Sequence, residues 1–420
     1  MARFLHAADL HIDSPLRGLT RYEDAPVERL RTATRAALEN LVDLAISERV
    51  DFVLLAGDIY DQDWQDFHTG LFFREQMTRL DRAAIRVFMV RGNHDAQGVI
   101  SRPLPLPGNV TVFSSRRAES VFLDDLGIAI HGHSFPARAV PEDLVPGYPA
   151  PKTGFFNIGL LHTSLGGRPP HDTYAPTEIR TLSAKGYDYW ALGHVHAREV
   201  VSEAAPRIVF PGNLQGRHPH ETGPKGCEMV TVDAGGVASE FIALDVVRWH
   251  TLTLPLDNVM TWEDLTRAFQ DTVEPLVAVA GDRLHAMRVT LFGATPLALE
   301  EANKPGFLDA TLRTVAQDLR HGEVWLEQTR LHVANPIDRE RDRARDDAVG
   351  ELIRLVDAIG VDEAALRAFA TEELGVLLNG LPPEIAAETV ALANQEDLRG
   401  LLRDAEATII ARLAATGERP

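Results

Sequence analysis

Short apolar runs of strand length recur through residues 1–245, separated by segments with helical periodicity and by turn-forming clusters. This alternation predicts an α/β domain. Each of the four clearest runs ends in Gly, Asp, Asn or His: DFVLLAGD, IRVFMVRGNHD, FNIGLLH and YDYWALGHVH. In open α/β sheets, ligands bind just beyond the carboxyl ends of the strands. We therefore expect these polar ends, together with the opening HAADLHIDSP, to meet in one crevice.

The pattern changes near residue 246. Strand-like runs such as WHTLTLPL and LHAMRVTLFG alternate with helical segments, one of which begins with a Thr261/Asp264 capping signal. This predicts a small α/β domain over residues 246–335. Apolar stripes at helical spacing then follow the charged run IDRERDRARDD. We therefore predict three domains, over residues 1–245, 246–335 and 336–420.

Composition narrows the class of protein. A chain of 420 residues with 45% hydrophobic residues is long enough for two or three globular domains. The net charge of −19 argues against non-specific coating of nucleic acid and leaves only a local basic patch for such contact. With no apolar run of about 18 residues, we expect no membrane span. The single cysteine, Cys227, excludes an intramolecular disulfide and favours a cytoplasmic location.

The polar strand ends form a coherent set of potential metal ligands. In chain order they are Asp9-x-His11, Gly57-Asp58, Gly92-Asn93-His94-Asp95, His162 and Gly193-His194-Val195-His196. Carboxylates, imidazoles and one amide, without thiolates, suit Mn²⁺, Fe²⁺ or Zn²⁺ in a reactive site rather than a structural zinc site. They are too many for one ion and suit two that share a carboxylate. Two ions roughly 3.5–4 Å apart can share a hydroxide and stabilise an in-line phosphoryl displacement. The set therefore indicates hydrolysis of a phosphate ester.

The order D-x-H, GD, GNHD, an isolated His and GHxH resembles the calcineurin-like metallophosphoesterase superfamily. Within it, the chain is similar to the SbcD-type DNA repair nucleases and most of all to their YhaO-like branch. The segments that carry this finer resemblance are HAADLHIDSPLRGL, RGNHD and PGNLQGRHPHETGPKGC. The resemblance implies an α/β fold in which a metallophosphoesterase β-sandwich is flanked by helices. A small α/β cap domain and a helical C-terminal region would complete it.

The resemblance also implies roles for individual residues. One metal would be held by Asp9, His11, Asp58 and His196, and the second by Asp58, Asn93, His162 and His194. Asp58 would bridge the two ions, most simply Mn²⁺, with Fe²⁺ or Zn²⁺ as alternatives. His94 resembles the family's catalytic histidine, which stabilises the transition-state phosphate or protonates the leaving 3′ oxygen. We expect the adjacent Asp95 to orient it, since carboxylates often fix a working imidazole.

Several other polar residues have a functional and a structural interpretation. Arg217 and Lys225 lie in a Gly/Pro-punctuated loop and either contact the phosphates of a substrate strand or simply belong to a surface loop. Structural or peripheral roles are predicted for the remainder. His6 is predicted in the core or next to a ligand, and Asp13 in a turn or cap. Asp61 and Asp63 are predicted to hold the loop after Asp58 or to touch substrate, and His131 and His133 to be structural or rim residues.

Three functions remain open at this point. The resemblance implies a two-metal DNA nuclease, a 3′→5′ exonuclease with endonuclease activity, which acts in DNA repair. It also implies DNA, an SMC-like coiled-coil ATPase and a second copy of the chain as partners. The acidic composition equally suits a phosphodiesterase or phosphatase that acts on a small nucleotide-like molecule. A scaffold stabilised by a metal cluster is the third alternative.

Overall fold

The computed structural model describes residues 1–14, 25–61, 67–97, 105–166, 174–278, 281–319, 323–336 and 339–378, and parts of 398–413. The chain divides into two compact units. The first comprises Met1–His250 and Asp282–Ala286, and the second comprises Thr251–Gly281 and Met287–Pro420.

The first unit contains two six-stranded sheets and their flanking helices. Its elements are β1 (Ala2–Ala7), α1 (Val27–Ser47), β2 (Phe52–Ala56), α2 (Phe67–Arg82), β3 (Arg86–Val90), β4 (Val110–Val112), β5 (Glu119–Leu123), β6 (Ile128–Gly132), β7 (Phe156–His162), α3 (Ile179–Ala184), β8 (Tyr189–Gly193), β9 (Glu199–Ser202), β10 (Arg207–Phe210), β11 (Gly226–Asp233) and β12 (Gly236–Ala243). One sheet has the order β12-β11-β1-β2-β3-β4 and the other β5-β6-β7-β8-β10-β9.

The two faces of β1 show how the layers form. Phe4 packs with Phe52 and Tyr189 in a core that draws side chains from both sheets. The next residue, Leu5, joins a second core with side chains of α1 and α2, such as Leu38. Because successive strand residues point to opposite faces, an apolar run without polar interruptions buries both faces of its strand. The predicted β-sandwich flanked by helices is confirmed.

Strand direction brings the polar ends together. β1, β2 and β3 pair in parallel in one sheet, and β7 and β8 pair in parallel in the other. Parallel neighbours end at the same edge of a sheet, so the segments after these strands lie side by side. An isolated bridge between Ala8 and Asn213 adds the loop after β10 to this edge.

The second unit is built around a three-stranded sheet. Its strands have the order β13-β14-β15, with bounds Val247–Pro255, Leu284–Ala294 and Val324–Ala334, and the chain passes between the units within β13 and β14. The helices are α4 (Trp262–Ala278), α5 (Leu297–Asn303), α6 (Phe307–Asp318), α7 (Arg339–Arg343), α8 (Ala348–Val361) and α9 (Glu363–Leu378). The predicted cap of α4 is present, since Asp264 N donates to Thr261 Oγ1 and Thr261 N to Asp264 Oδ2, both at 3.2 Å.

Apolar side chains of α4, α6 and the sheet form one core in this unit, which includes Phe269, Val289 and Leu312. The predicted domain boundaries at residues 246 and 336 stay predictions. Within the parts of the chain described above, no helix is both long and apolar enough to cross a membrane.

Candidate metal centre

Four of the residues predicted as ligands have a strained backbone conformation just beyond the strand ends. Asp9, His11, Asp58 and His194 have φ values of 50°, 42°, 51° and 104°, in the left-handed region that L-residues rarely adopt. Backbone bonds hold this conformation, because Asp9 N donates to Gly57 O at 3.0 Å and His11 N to Asp58 O at 3.1 Å. Strain of this kind clusters at functional sites. Here the left-handed backbone conformation directs these polar side chains into one crevice.

Three glycines make room for these side chains. A Cβ added to Gly92 would lie 2.2 Å from Asp58 Oδ1, and one added to Gly57 would lie 2.6 Å from His162 Nδ1. A Cβ on Gly193 would lie 2.0 Å from the Ala56 carbonyl oxygen, between the two sheets. The glycines before Asp58, Asn93 and His194 are therefore required by close packing, which explains the GD, GN and GH pairs of the sequence.

Asp9, His11 and His196 form the first cluster, in which one potential ligand atom of each lies within 4.8 Å of the others. His11 Nε2 and His196 Nε2 are 3.2 Å apart. Two nitrogens bound to one ion at about 2.1 Å would be separated by about 3.0–3.4 Å, so this spacing fits a shared cation. Burial, helped by the charge of Arg217, lowers the pKa of His11 to about 3, so its imidazole is a neutral ligand.

The second cluster consists of Asp58, His162 and His194, within the same 4.8 Å limit. His162 Nε2 lies 3.0 Å from Asn93 Oδ1 and 3.4 Å from Asp58 Oδ2. Burial opposes charge on His162, but Asp58 and Asp9 outweigh it and raise its pKa to about 9. The buried carboxylates thus demand a positive charge at this place. A divalent cation would supply it in place of the proton.

Asp58 belongs to the second cluster and also faces His11 of the first. Its Oδ2 is 3.4 Å from His162 Nε2 and 3.9 Å from His11 Nε2. Burial alone would raise the pKa of Asp58, but the facing imidazoles hold it well below its ordinary value. An ionised carboxylate at this position suits the bridging ligand that the resemblance implies.

Outer contacts orient the imidazoles. His162 Nδ1 lies 2.9 Å from Ala56 O, and His196 Nδ1 lies 2.7 Å from Glu221 Oε1. Both partners accept a proton, so each imidazole carries it on Nδ1 and presents the lone pair of Nε2 to an ion. The donor set therefore fits divalent cations in the groups Asp9/His11/His196 and Asp58/His162/His194. The sharing of Asp58 between two ions and the part of Asn93 stay predictions.

His94 lies beside these clusters with its side chain 28% exposed. Its Nδ1 is 2.6 Å from Asp61 Oδ1. Burial disfavours its charged form, but Asp61 and Asp58 outweigh burial and raise the pKa of His94. The imidazole is thus held in place by a carboxylate at the border of the site.

The predicted orienting role of Asp95 is wrong. Its buried carboxylate accepts hydrogen bonds from the amides of Ile59, Tyr60 and Gly92 at 3.0–3.1 Å. Asp95 begins a short 3-10 turn, so its side chain departs from the backbone in another direction than that of His94. Asp61, which was predicted only to hold its loop or touch substrate, takes the orienting position instead.

The structure also corrects the expectation for the loop at 213–226. Lys225 is only 6% exposed, and its Nζ donates to His196 O at 2.7 Å, so it supports a ligand-bearing segment and cannot reach a substrate strand. The side chain of Arg217 is 14% exposed and lies between Asp61 and Glu221. Glu221 was not singled out, although it lies four residues after Arg217 in one of the segments that carry the resemblance.

The remaining polar residues take structural places. His6 joins the sheets through the hydroxyl of Tyr189 and the carbonyl of Leu192, as predicted for a core residue. Asp13 lies in a turn, one of its two predicted places, and its carboxylate forms an ion pair with Arg35. The other predictions concern the rim and Cys227. His131 is buried against Ser120 and Asn157, and His133 is half-buried on the same segment. Cys227 is buried, and Asp63 lies outside the described residues.

Comparison with known proteins agrees with this site. Residues 2–198 match the family described as calcineurin-like phosphoesterase, and residues 249–334 match the middle domain of the metallophosphoesterase YhaO. The uncharacterized metallophosphoesterase YhaO of Bacillus subtilis (strain 168) is 37% identical over 331 residues, which are 78% of this chain and 80% of that protein.

The chain also has more distant similarities. The DNA double-strand break repair protein Mre11 of Methanopyrus kandleri is 24% identical over 273 residues, so the match covers 58% of this chain and 57% of that relative. The crystal structure of a dimetal phosphatase from Danio rerio has a TM-score of 0.38 and 12% identity, and covers 58% of this chain and 96% of that one. With a 37% identical relative matched over most of its length, the chain belongs to the calcineurin-like metallophosphoesterase superfamily.

Proposed function

We propose that this metallophosphoesterase is a two-metal DNA nuclease that acts in DNA repair, as a 3′→5′ exonuclease with endonuclease activity. The observation that carries the proposal is the set of three overlapping groups of potential ligands around His11 and Asp58, one of which includes the partly exposed His94. Similarity to a relative named as a DNA double-strand break repair protein supports DNA as the substrate. Sequence similarity shows the metallophosphoesterase family, and the substrate is the part proposed here.

Two bound divalent ions would lower the pKa of a water molecule and neutralise the charge that develops on the phosphate. Residues of the chain itself position the proton donor. Asp61 engages His94 at Nδ1, which leaves Nε2 as the nitrogen that can face a phosphodiester. Because the facing carboxylates of Asp61 and Asp58 raise the pKa of His94 and so favour its protonated form, we propose that Nε2–H stabilises the phosphate and protonates the leaving 3′ oxygen.

A cleavage assay with Mn²⁺ tests the substrate. End-labelled DNA and bis-p-nitrophenyl phosphate are compared, with Asp58→Asn and His94→Gln as controls. We expect loss of label from DNA with the wild-type chain and little cleavage with either variant. Hydrolysis of the small diester without cleavage of DNA would favour a small nucleotide-like substrate, which the net charge of −19 also suits.

Partners follow from the same proposal. The exposed apolar side chains of Leu355, Val361 and Leu401, in the helical region after residue 336, offer a surface for an SMC-like coiled-coil ATPase. Co-purification with such an ATPase, lost in a Leu355→Lys/Leu401→Lys variant, would support this contact. Retention in the variant would place it elsewhere. Manganese as the native metal, a homodimer and a cytoplasmic location remain predictions.

A further inference from the structure

We infer that Arg217 is a positioning residue that couples the first metal site to His94. It does so by bridging two carboxylates, Asp61 and Glu221, each of which orients one of the imidazoles. The inference rests on the proposed metal centre and on hydrolysis of a phosphodiester, but does not depend on DNA being the substrate.

The guanidinium reaches both carboxylates from one position. Arg217 Nη1 lies 3.3 Å from Asp61 Oδ2, and Nη2 lies 3.3 Å from Glu221 Oε1. Its own backbone N donates to Glu221 Oε2 at 2.7 Å, which fixes the side chain at its root. The three side chains are each no more than 15% exposed, so water competes little for these contacts.

Each carboxylate contacts both Arg217 and an imidazole of the site. Asp61 Oδ1 is 2.6 Å from His94 Nδ1, while Oδ2 faces Arg217 and accepts from Ser14 Oγ at 2.6 Å. Glu221 Oε1 faces both His196 Nδ1, at 2.7 Å, and Arg217 Nη2. A rotation of either carboxylate away from Arg217 would therefore also turn the imidazole that it holds.

Two segments far apart in sequence are joined in this way. Asp61 follows β2, and Glu221 lies in the loop between β10 and β11. A lysine at position 217 would keep the charge but lacks the rigid fork that engages two carboxylates at once. The structure thus gives a reason for arginine at this position that is separate from phosphate binding, since its nitrogens already face protein carboxylates.

The test compares Arg217→Lys with Arg248→Lys. Arg248 forms a two-point ion pair with Asp245, is 13% exposed and belongs to the same unit, so it is a matched control away from the ligands. Because lysine keeps the positive charge, the field on the metals changes little and the geometry alone is tested. We expect Arg217→Lys to lower kcat on bis-p-nitrophenyl phosphate about 10–100-fold with KM unchanged, and Arg248→Lys to leave kcat unchanged.

Coupling is measured in a double-mutant cycle. In an Asp61→Asn background and at saturating Mn²⁺, which offsets weaker metal binding through His196, Arg217→Lys should lower kcat by no more than about 2-fold further, because the route to His94 is already broken. A rise in KM with unchanged kcat would show that Arg217 contacts the substrate, and full additivity with Asp61→Asn would show that it acts elsewhere. A loss of kcat equal to that of Arg248→Lys would indicate a purely structural role. Each of these results overturns the inference.

Calorimetric titration with Mn²⁺ separates this inference from the proposed function. We expect the wild-type chain to bind two ions, and Arg217→Lys to bind one of them about 10-fold more weakly because His196 loses its fixed partner. This result would support the coupling to the metal site even if neither DNA nor the small diester were hydrolysed. Unchanged affinity for both ions would overturn it.

Discussion

Among single residues, Asp61 and Asp95 are two carboxylates near His94 that have different partners. Asp61 faces His94, whereas Asp95 ties three backbone amides around the ends of β2 and β3. The sequence places Asp95 next to His94 and Asp61 far from it. Adjacency along the chain therefore favoured the wrong partner, because neighbouring side chains in a turn point apart.

We expect Asp61→Asn and Asp95→Asn to separate activity from stability. Asp61→Asn should lower kcat on a phosphodiester by about 10–100-fold with little change in melting temperature, since it removes a charged outer partner of His94. Asp95→Asn should lower the free energy of unfolding by about 1–3 kcal/mol, because its buried amide neighbours lose charge-assisted bonds. Steady-state kinetics and urea unfolding measure the two effects. The opposite pattern would return the orienting role to Asp95.

His6 predicts a dependence of stability on pH. Burial lowers its pKa to about 4, from 6.5 in the unfolded chain, although Glu228 partly opposes the shift. The unfolded chain therefore binds more protons between these values, and about 3 kcal/mol of stability, present above pH 6.5, is lost as pH falls to 4. His6→Gln should flatten the unfolding free energy over this range in metal-free protein. Replacement of the exposed His332 is the control, and an equal slope in both variants would contradict the prediction.

Strands and the turns after them are the elements that create the site. Apolar runs predicted β2, β3, β7 and β8, and all four are present. The polar residues after them were predicted to converge because parallel strands share an edge, and they do converge. What those patterns leave open is the backbone conformation, such as the left-handed φ of Asp9 and Asp58, which long-range backbone bonds impose.

Gly92→Ala should disable the centre while the sheet remains folded. The added Cβ would lie 2.2 Å from Asp58 Oδ1, so the carboxylate that both ions share must move. We expect weaker binding of both Mn²⁺ ions by calorimetry, with an unchanged far-ultraviolet circular dichroism spectrum. Gly108→Ala is the matched control, because its Cβ would meet no atom within 4 Å. Wild-type affinity in the Gly92 variant would show that the turn adapts.

On the scale of the whole molecule, the ions should stabilise one unit and not the other. All the predicted ligands lie in Met1–His250, and they include the buried carboxylates Asp9 and Asp58. Ions that bind only the folded unit add about 2.7 kcal/mol at a concentration 100 times their Kd. In scanning calorimetry we expect Mn²⁺ to raise the transition of the first unit and EDTA to reverse it. An equal rise in Asp58→Asn would place the ions elsewhere.

The sequence by itself determined the class of fold and the candidate ligands, because both follow from local patterns: uninterrupted apolar runs that bury both faces of a strand, and polar residues directly after them. Tertiary structure alone decided the outer partners. Asp61 contacts His94, and Glu221 contacts His196. Arg217 contacts both carboxylates and so joins two distant segments, since Asp61 and Arg217 are separated by 156 residues. Such contacts depend on how the loops of two sheets pack against each other, and no short-range pattern records that.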